Sequence, residues 1–348
     1  MKIVFLGPLW YGATCLQRMQ ALRQLGHQVL PIDTEPEWVR RKSQGFIYRA
    51  RRKFLGPSDL VHANQNLIQL SMQHNVNVLF LNKALTIKPK TLGIIRRRSP
   101  KTIIVGYSPD DMMTKCNQTR NFLKGISLYD IYFTTKSFNV NELQELGCPR
   151  VVFIGNAYDP NLHEPVVVTN ADRLKFGGQV GFIGAYEKER TEQLLYLAKN
   201  GVSVRVWGPN WRQNRKFSHP NCKIEGRALW GGDYARAICS FDINLAFLCK
   251  VNRDLQTTRS VEIPACGAFM LAERTDEHLS LFEEGKEAEF FGSNEELLEK
   301  IRYYLANPQQ RKQIAAAGRR RCLKSGYSYE ERLKQMLPII ERVGNEAL

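Results

Sequence analysis

Nothing in the chain has the spacing of a metal ribbon or a disulfide scaffold. The eight cysteines stand at 15, 116, 148, 222, 239, 249, 266 and 322. No two are three residues apart, so no Cys-x-x-Cys pair arises. Scattered thiols of this kind are expected free and reduced, in a reducing compartment. Glycine and proline total 40 of 348 residues, too few for a low-complexity chain. No apolar run approaches the roughly 18 residues that cross a bilayer. The opening Met1–Gly7 is too short for a secretion-signal core. A cytoplasmic location is therefore expected. The turn Gly7-Pro-Leu-Trp-Tyr-Gly12 lacks the full G-x-G-x-x-G pattern, which disfavours a dinucleotide cofactor there. Acids are scarce early in the chain: residues 1–100 hold 4, against 16 Lys and Arg.

What is present is ordinary globular material, with 43% hydrophobic and 24% charged residues. The length fits about two domains, each able to bury a core without staples. Short apolar runs alternate with helix-spaced segments. Lys2–Leu6, Val29–Ile32, Val76–Leu81, Thr102–Val105, Tyr129–Phe133 and Val151–Ile154 read as strands. The stretch 156–178, richer in Pro, Asn, Asp and Gly, breaks the rhythm and is the candidate linker. The alternation restarts at Gln179–Ile183 and closes with helices near 294–305, 308–323 and 328–343. Strands separated by helices imply parallel βαβ units. The expected fold is thus α/β, with two doubly wound sheets and ligands beyond the carboxyl ends of their strands.

The net charge is +16. Between Glu37 and Asp59 there is no acid. That gap holds Arg40, Arg41, Lys42, Arg49, Arg51, Arg52 and Lys53, among Phe46, Ile47, Tyr48 and Phe54. Such a run attracts polyanions, and its aromatics favour an anionic membrane surface. A solvated basic face without a partner is the plainer alternative. Nucleic acid is not an expected partner, because no recognised nucleic-acid motif accompanies the charge.

Three turns carry candidate chemistry. Gly7 and Gly12 either relieve a tight turn or line an acceptor site. In Ser108-Pro-Asp110-Asp111 the paired carboxylates suit a general base, and Asp110 equally suits a helix cap. Gly184, Lys188 and Arg190 lie where a Gly-ended strand enters a helix, a place that presents N–H groups and cations to a phosphate. No His or further carboxylate completes a metal shell near Asp110 and Asp111, so no metal is expected.

The richest segment is Asn252-Arg253-Asp254-Leu-Gln-Thr-Thr-Arg259-Ser-Val-Glu262-Ile-Pro-Ala-Cys-Gly267. Its block from Arg259 to Gly267 resembles the R-x-x-E-x-x-A-x-G signature of the CgeB-like (spore-maturation protein) glycosyltransferases, a branch of the GT-B enzymes. Matching blocks run in order through the chain. They include Ser108-Pro-Asp-Asp111-Met, Thr134-Thr-Lys-Ser137, Tyr158-Asp-Pro160 with His163, Phe282-x-x-Gly285-Lys-Glu287 and Tyr327-Ser-Tyr-x-x-Arg332.

The resemblance implies a GT-B fold with two Rossmann-like domains facing a cleft. Residues 1–165 would bind the acceptor and 166–326 a nucleotide-sugar donor, with 327–348 a helix crossing back to the first domain. It implies transfer of a sugar to a polysaccharide, glycolipid or protein, without a metal. In its E-x7-E motif Glu262 takes the ribose-binding position and Asp254 the first position, one methylene short. Arg253 and Arg259 flank the diphosphate. Retention through Asp254 is favoured, and Asp110 or Asp111 is the base for inversion. The alternative is a GT-B-fold protein that binds sugar nucleotides or glycans and has lost transfer.

Overall fold

The computed structural model describes residues 1–43, 45–73, 75–211 and 218–346, without the side chains of Arg49, Lys53 and Leu55. Arg49 and Lys53 of the expected basic run thus lie outside the described side chains. The chain forms two compact units, Met1–Gly155 with Tyr329–Leu348, and Asn156–Ser328. The boundaries expected after 165 and 326 fall instead after Gly155 and Ser328.

In the first unit the strands are β1 (Lys2–Gly7), β2 (Gln28–Asp33), β3 (Val78–Asn82), β4 (Ile103–Ser108), β5 (Ile131–Thr134) and β6 (Val151–Phe153). They form one parallel sheet in the order β2-β1-β3-β4-β5-β6. Between them run α1 (Thr14–Gln24), α2 (Glu37–Ser43), α3 (Phe46–Leu55), α4 (Ala63–Gln73), α5 (Pro89–Arg98), α6 (Arg120–Gly125) and α7 (Asn139–Glu145). Helices on both faces explain why β3, Val-Leu-Phe-Leu-Asn, is buried at every position. Val4, Leu6, Leu79, Leu81 and Ile104 centre its core.

In the second unit the order is α8 (Asn170–Phe176), β7 (Gly178–Ile183), α9 (Lys188–Lys199), β8 (Val204–Trp207), β9 (Cys222–Ile224), α10 (Gly232–Ser240), β10 (Phe241–Ala246), α11 (Arg259–Ala265), β11 (Met270–Glu273), α12 (Asp276–Leu281), β12 (Glu289–Phe291), α13 (Asn294–Ala306) and α14 (Pro308–Lys324). Its sheet is also parallel, in the order β12-β11-β10-β7-β8-β9. Helix α8 lies inside the expected linker. A reciprocal cap between Thr169 and Asp172 starts it, and Phe176 buries its end.

The final helix, α15 (Tyr329–Glu346), belongs to the first unit and packs on α1. Leu333, Met336, Ile340 and Val343 are its buried face, a 3.6-residue stripe legible in the sequence. Arg18 of α1 pins its start. The buried guanidinium donates to Asn82 Oδ1 at 2.6 Å, with its carbon 3.7 Å from the Tyr107 ring centre and 5.3 Å from that of Tyr329.

Candidate functional site

In the second unit the carboxyl ends of β7 and β10 converge on Phe182. Arg190 enters from the first turn of α9 and Arg259 from the start of α11. Their guanidinium carbons lie 5.5 and 5.6 Å from the Phe182 ring centre. Arg190 is 4% exposed, donates to Ala185 O at 3.0 Å and pairs with Glu187 at 2.9 Å. Arg259 donates to Phe247 O at 3.0 Å. Among the described residues the Nε of each is buried without a hydrogen-bond partner. Burial, and then the neighbouring Arg259, push the Arg190 pKa down. Two cations around one apolar ring repel each other, and the Glu187 carboxylate offsets part of that repulsion. An anion between them would offset it.

Glu262 sits one turn into α11 and is 5% exposed. One carboxylate oxygen accepts from Tyr234 Oη at 2.6 Å. The other stands 3.7 Å from His163 Nε2. His163 accepts from Asp159 N through Nδ1 at 3.0 Å, which in the neutral ring leaves Nε2–H toward Glu262. Burial first, then the Glu262 charge, push the Tyr234 pKa well up. Tyr234 was not singled out by sequence reasoning. It lies 28 residues from Glu262, and only folding of α10 beside α11 joins them.

The other donor-side residues are placed differently. Lys188, first in α9, is 79% exposed and faces Glu192 of its own helix. Arg253 is exposed at a left-handed position, φ 46°, in the turn before α11. Asp254 closes that turn, accepting from Asn252 Nδ2 at 2.6 Å and Cys249 N at 3.3 Å. Gly184 donates to Trp207 O and accepts from Trp211 Nε1, both at 2.8 Å. Gly267 has φ +68° and follows the end of α11, its N–H on Pro264 O at 2.8 Å. It is a helix terminator, the usual task of glycine there.

In the first unit, Gly7 is required by contact: a Cβ there would meet Cys15 Sγ at 2.3 Å. Gly12 stands at φ +95° in the turn before α1. Asp110 pairs with Lys83, whose ammonium also donates to Asn117 at 2.9 Å. No helix starts at Asp110, so it is not the cap weighed from sequence. Asp111 is fully buried and accepts from Met113 N at 2.9 Å, Thr114 Oγ1 at 2.7 Å and Asn139 Nδ2 at 2.9 Å. It braces a turn. A groove of about 670 Å³ opens beyond β2, lined in part by Asp33, Trp38, His62, Asn66 and Gln69. Sequence reasoning gave no signal for it, because its walls come from two separated segments, 31–38 and 60–70.

Residues 190–338 match a family model described as glycosyl transferase-like. No curated protein sequence matches the chain. Solved structures match it along its length. Sucrose-phosphate synthase from Thermosynechococcus elongatus has a TM-score of 0.68 at 11% identity, covering 99% of each chain. A glycosyltransferase from Rickettsia africae has 0.67 at 13%, covering 98% of each. HepE from Anabaena, in complex with UDP-glucose, has 0.66 at 13%, covering 98% of this chain and 100% of its own. The fold is therefore that of the GT-B glycosyltransferases, with two parallel sheets flanked by helices. Among the described residues no helix is long and apolar enough to cross a membrane.

Proposed function

We propose that the protein is a cytoplasmic, CgeB-like GT-B glycosyltransferase whose second unit binds a nucleotide-activated sugar. The observation that carries this reading is the pair Arg190 and Arg259, turned toward one ring at a sheet's carboxyl edge, each with a buried Nε that has no partner among the described residues. A nucleoside diphosphate supplies further negative charge and acceptor oxygens. The match of residues 190–338 to a glycosyl transferase-like model supports it. So does HepE, whose structure is named for its UDP-glucose complex.

Transfer breaks the anomeric C–O bond through an oxocarbenium-like state, while negative charge grows on the departing diphosphate. Arg190, Arg259 and the amino end of α9 stabilise that charge in a preorganised way, with no metal called for in this reading. Glu262 holds the ribose hydroxyls. To do so its carboxylate shares or exchanges the Tyr234 hydroxyl. The acceptor is a polysaccharide, glycolipid or protein, and the configuration is retained.

One observation favours a second reading, a sugar-nucleotide-binding protein without transfer. The Asp254 carboxylate is committed to its own turn through Asn252 and Cys249, and so is drawn away from a sugar ring. A thermal-shift panel of UDP-, GDP-, TDP- and CMP-sugars tests donor binding, since a ligand of the native state raises its melting point. The proposal expects at least one to do so, and a flat panel would overturn it. Release of free nucleotide with an acceptor extract, in excess chelator, then separates transfer from binding alone.

A further inference from the structure

Helix α3 exposes Phe46, Ile47 and Phe54, by 85%, 83% and 81%. At 3.6 residues per turn the three fall within an arc of about 100°. Arg51 borders that arc, Arg52 is exposed on the far side of the helix, and Arg41 and Lys42 are exposed on α2 beside it. Trp38 of α2 adds a half-exposed indole. The guanidinium carbon of Arg40 lies 5.1 Å from the Trp10 ring centre, tying α2 to the loop after β1. Exposed apolar side chains gathered on one face and rimmed by cations mark an interaction surface.

The charge selects the occupant. Seven cations and no acid lie between Glu37 and Asp59. Self-pairing of this face about a two-fold axis would set those cations against their own copies. An anionic bilayer satisfies both halves of the face. Apolar side chains enter the acyl boundary, and the long Arg and Lys stems reach up to phosphate. We propose that α3 lies in the plane of an anionic phospholipid surface, with Phe46, Ile47 and Phe54 inserted and Arg51 among the headgroups. This goes beyond the transfer reading and stands without it.

Co-sedimentation of the full chain with vesicles tests it. The wild type is expected to bind vesicles of equal parts phosphatidylglycerol and phosphatidylcholine, and not phosphatidylcholine alone. The variant R51Q is expected to bind about fivefold more weakly, as a cation near the surface contributes roughly a fivefold factor. F46S/I47S is expected to lose binding at unchanged charge. Both variants change exposed side chains, and unaltered melting points and unaltered nucleotide titrations would show them folded. Equal binding to the neutral vesicles, no vesicle binding, or variants that bind as the wild type does would each overturn the proposal. So would a wild-type dimer in sedimentation that F46S/I47S dissociates, or tight DNA binding in place of lipid binding.

Discussion

Arg259→Gln separates binding from stability. Arg259 donates to Phe247 O at 3.0 Å, lies over Phe182, and depresses the Arg190 pKa by its charge. Removing it relieves repulsion between two cations. The lost carbonyl bond costs about 1 kcal/mol, which the relief offsets, so the melting point should stay within about 3 °C of the wild type. Nucleotide affinity should respond quite differently. A hydrogen bond to a charged group contributes about 1.5–3 kcal/mol, so the dissociation constant should rise roughly 10- to 150-fold. Calorimetric titration with UDP and a melting scan of the same sample read both quantities. Unchanged affinity would refute the assignment of Arg259 to the diphosphate. A collapse of both together would show that its work is structural.

Glu262→Gln should weaken UDP binding by about tenfold or more and leave inorganic pyrophosphate binding unaltered, since only the nucleotide brings a ribose. Asp111→Ala should destabilise the first unit by about 3 kcal/mol in denaturant titration, because buried donors lose their acceptor; a full-strength fold with activity lost would instead mark a base. His278 is buried, shares a 2.7 Å hydrogen bond with Ser260, and has its pKa pushed below the ordinary 6.5 by burial. The unfolded chain therefore takes up that proton first. Its contribution to stability is complete above about pH 6.5 and declines as the pH falls from there toward the folded pKa. Melting points from pH 7.5 down to 5 should show this slope, and His278→Gln should flatten it.

The parallel sheets were legible because their strands are short apolar runs closed by Gly, Asp or Ser, with helical spacing between. The last helix was legible from Leu333, Met336 and Ile340, which are buried as that spacing requires. Helix α3 was not read as a helix. Its apolar residues face solvent, so no buried stripe marks it, and only the glycines at 45 and 56 bracket it. Helix α8 was hidden in a polar stretch, where capping by Thr169 and Asp172 rather than burial starts it. At the site, Arg190 and Arg259 stood in readable turns, but their meeting at Phe182 depends on the β7–β10 pairing. Lys188 and Arg253 looked alike in sequence and turn outward. Asp111 and Asp254 read as reactive carboxylates, and loop geometry engages both with backbone and side-chain donors of their own turns.

The central claim is that Arg190, Arg259 and Glu262 hold a nucleoside diphosphate. Diffraction from crystals soaked with UDP, or with the nucleotide the thermal panel selects, tests it most directly. Diphosphate oxygens are expected within hydrogen-bond distance of both guanidinium groups, with a ribose hydroxyl on the Glu262 carboxylate. A nucleotide ordered elsewhere, with Glu262 still bound only to Tyr234 and His163, would contradict it.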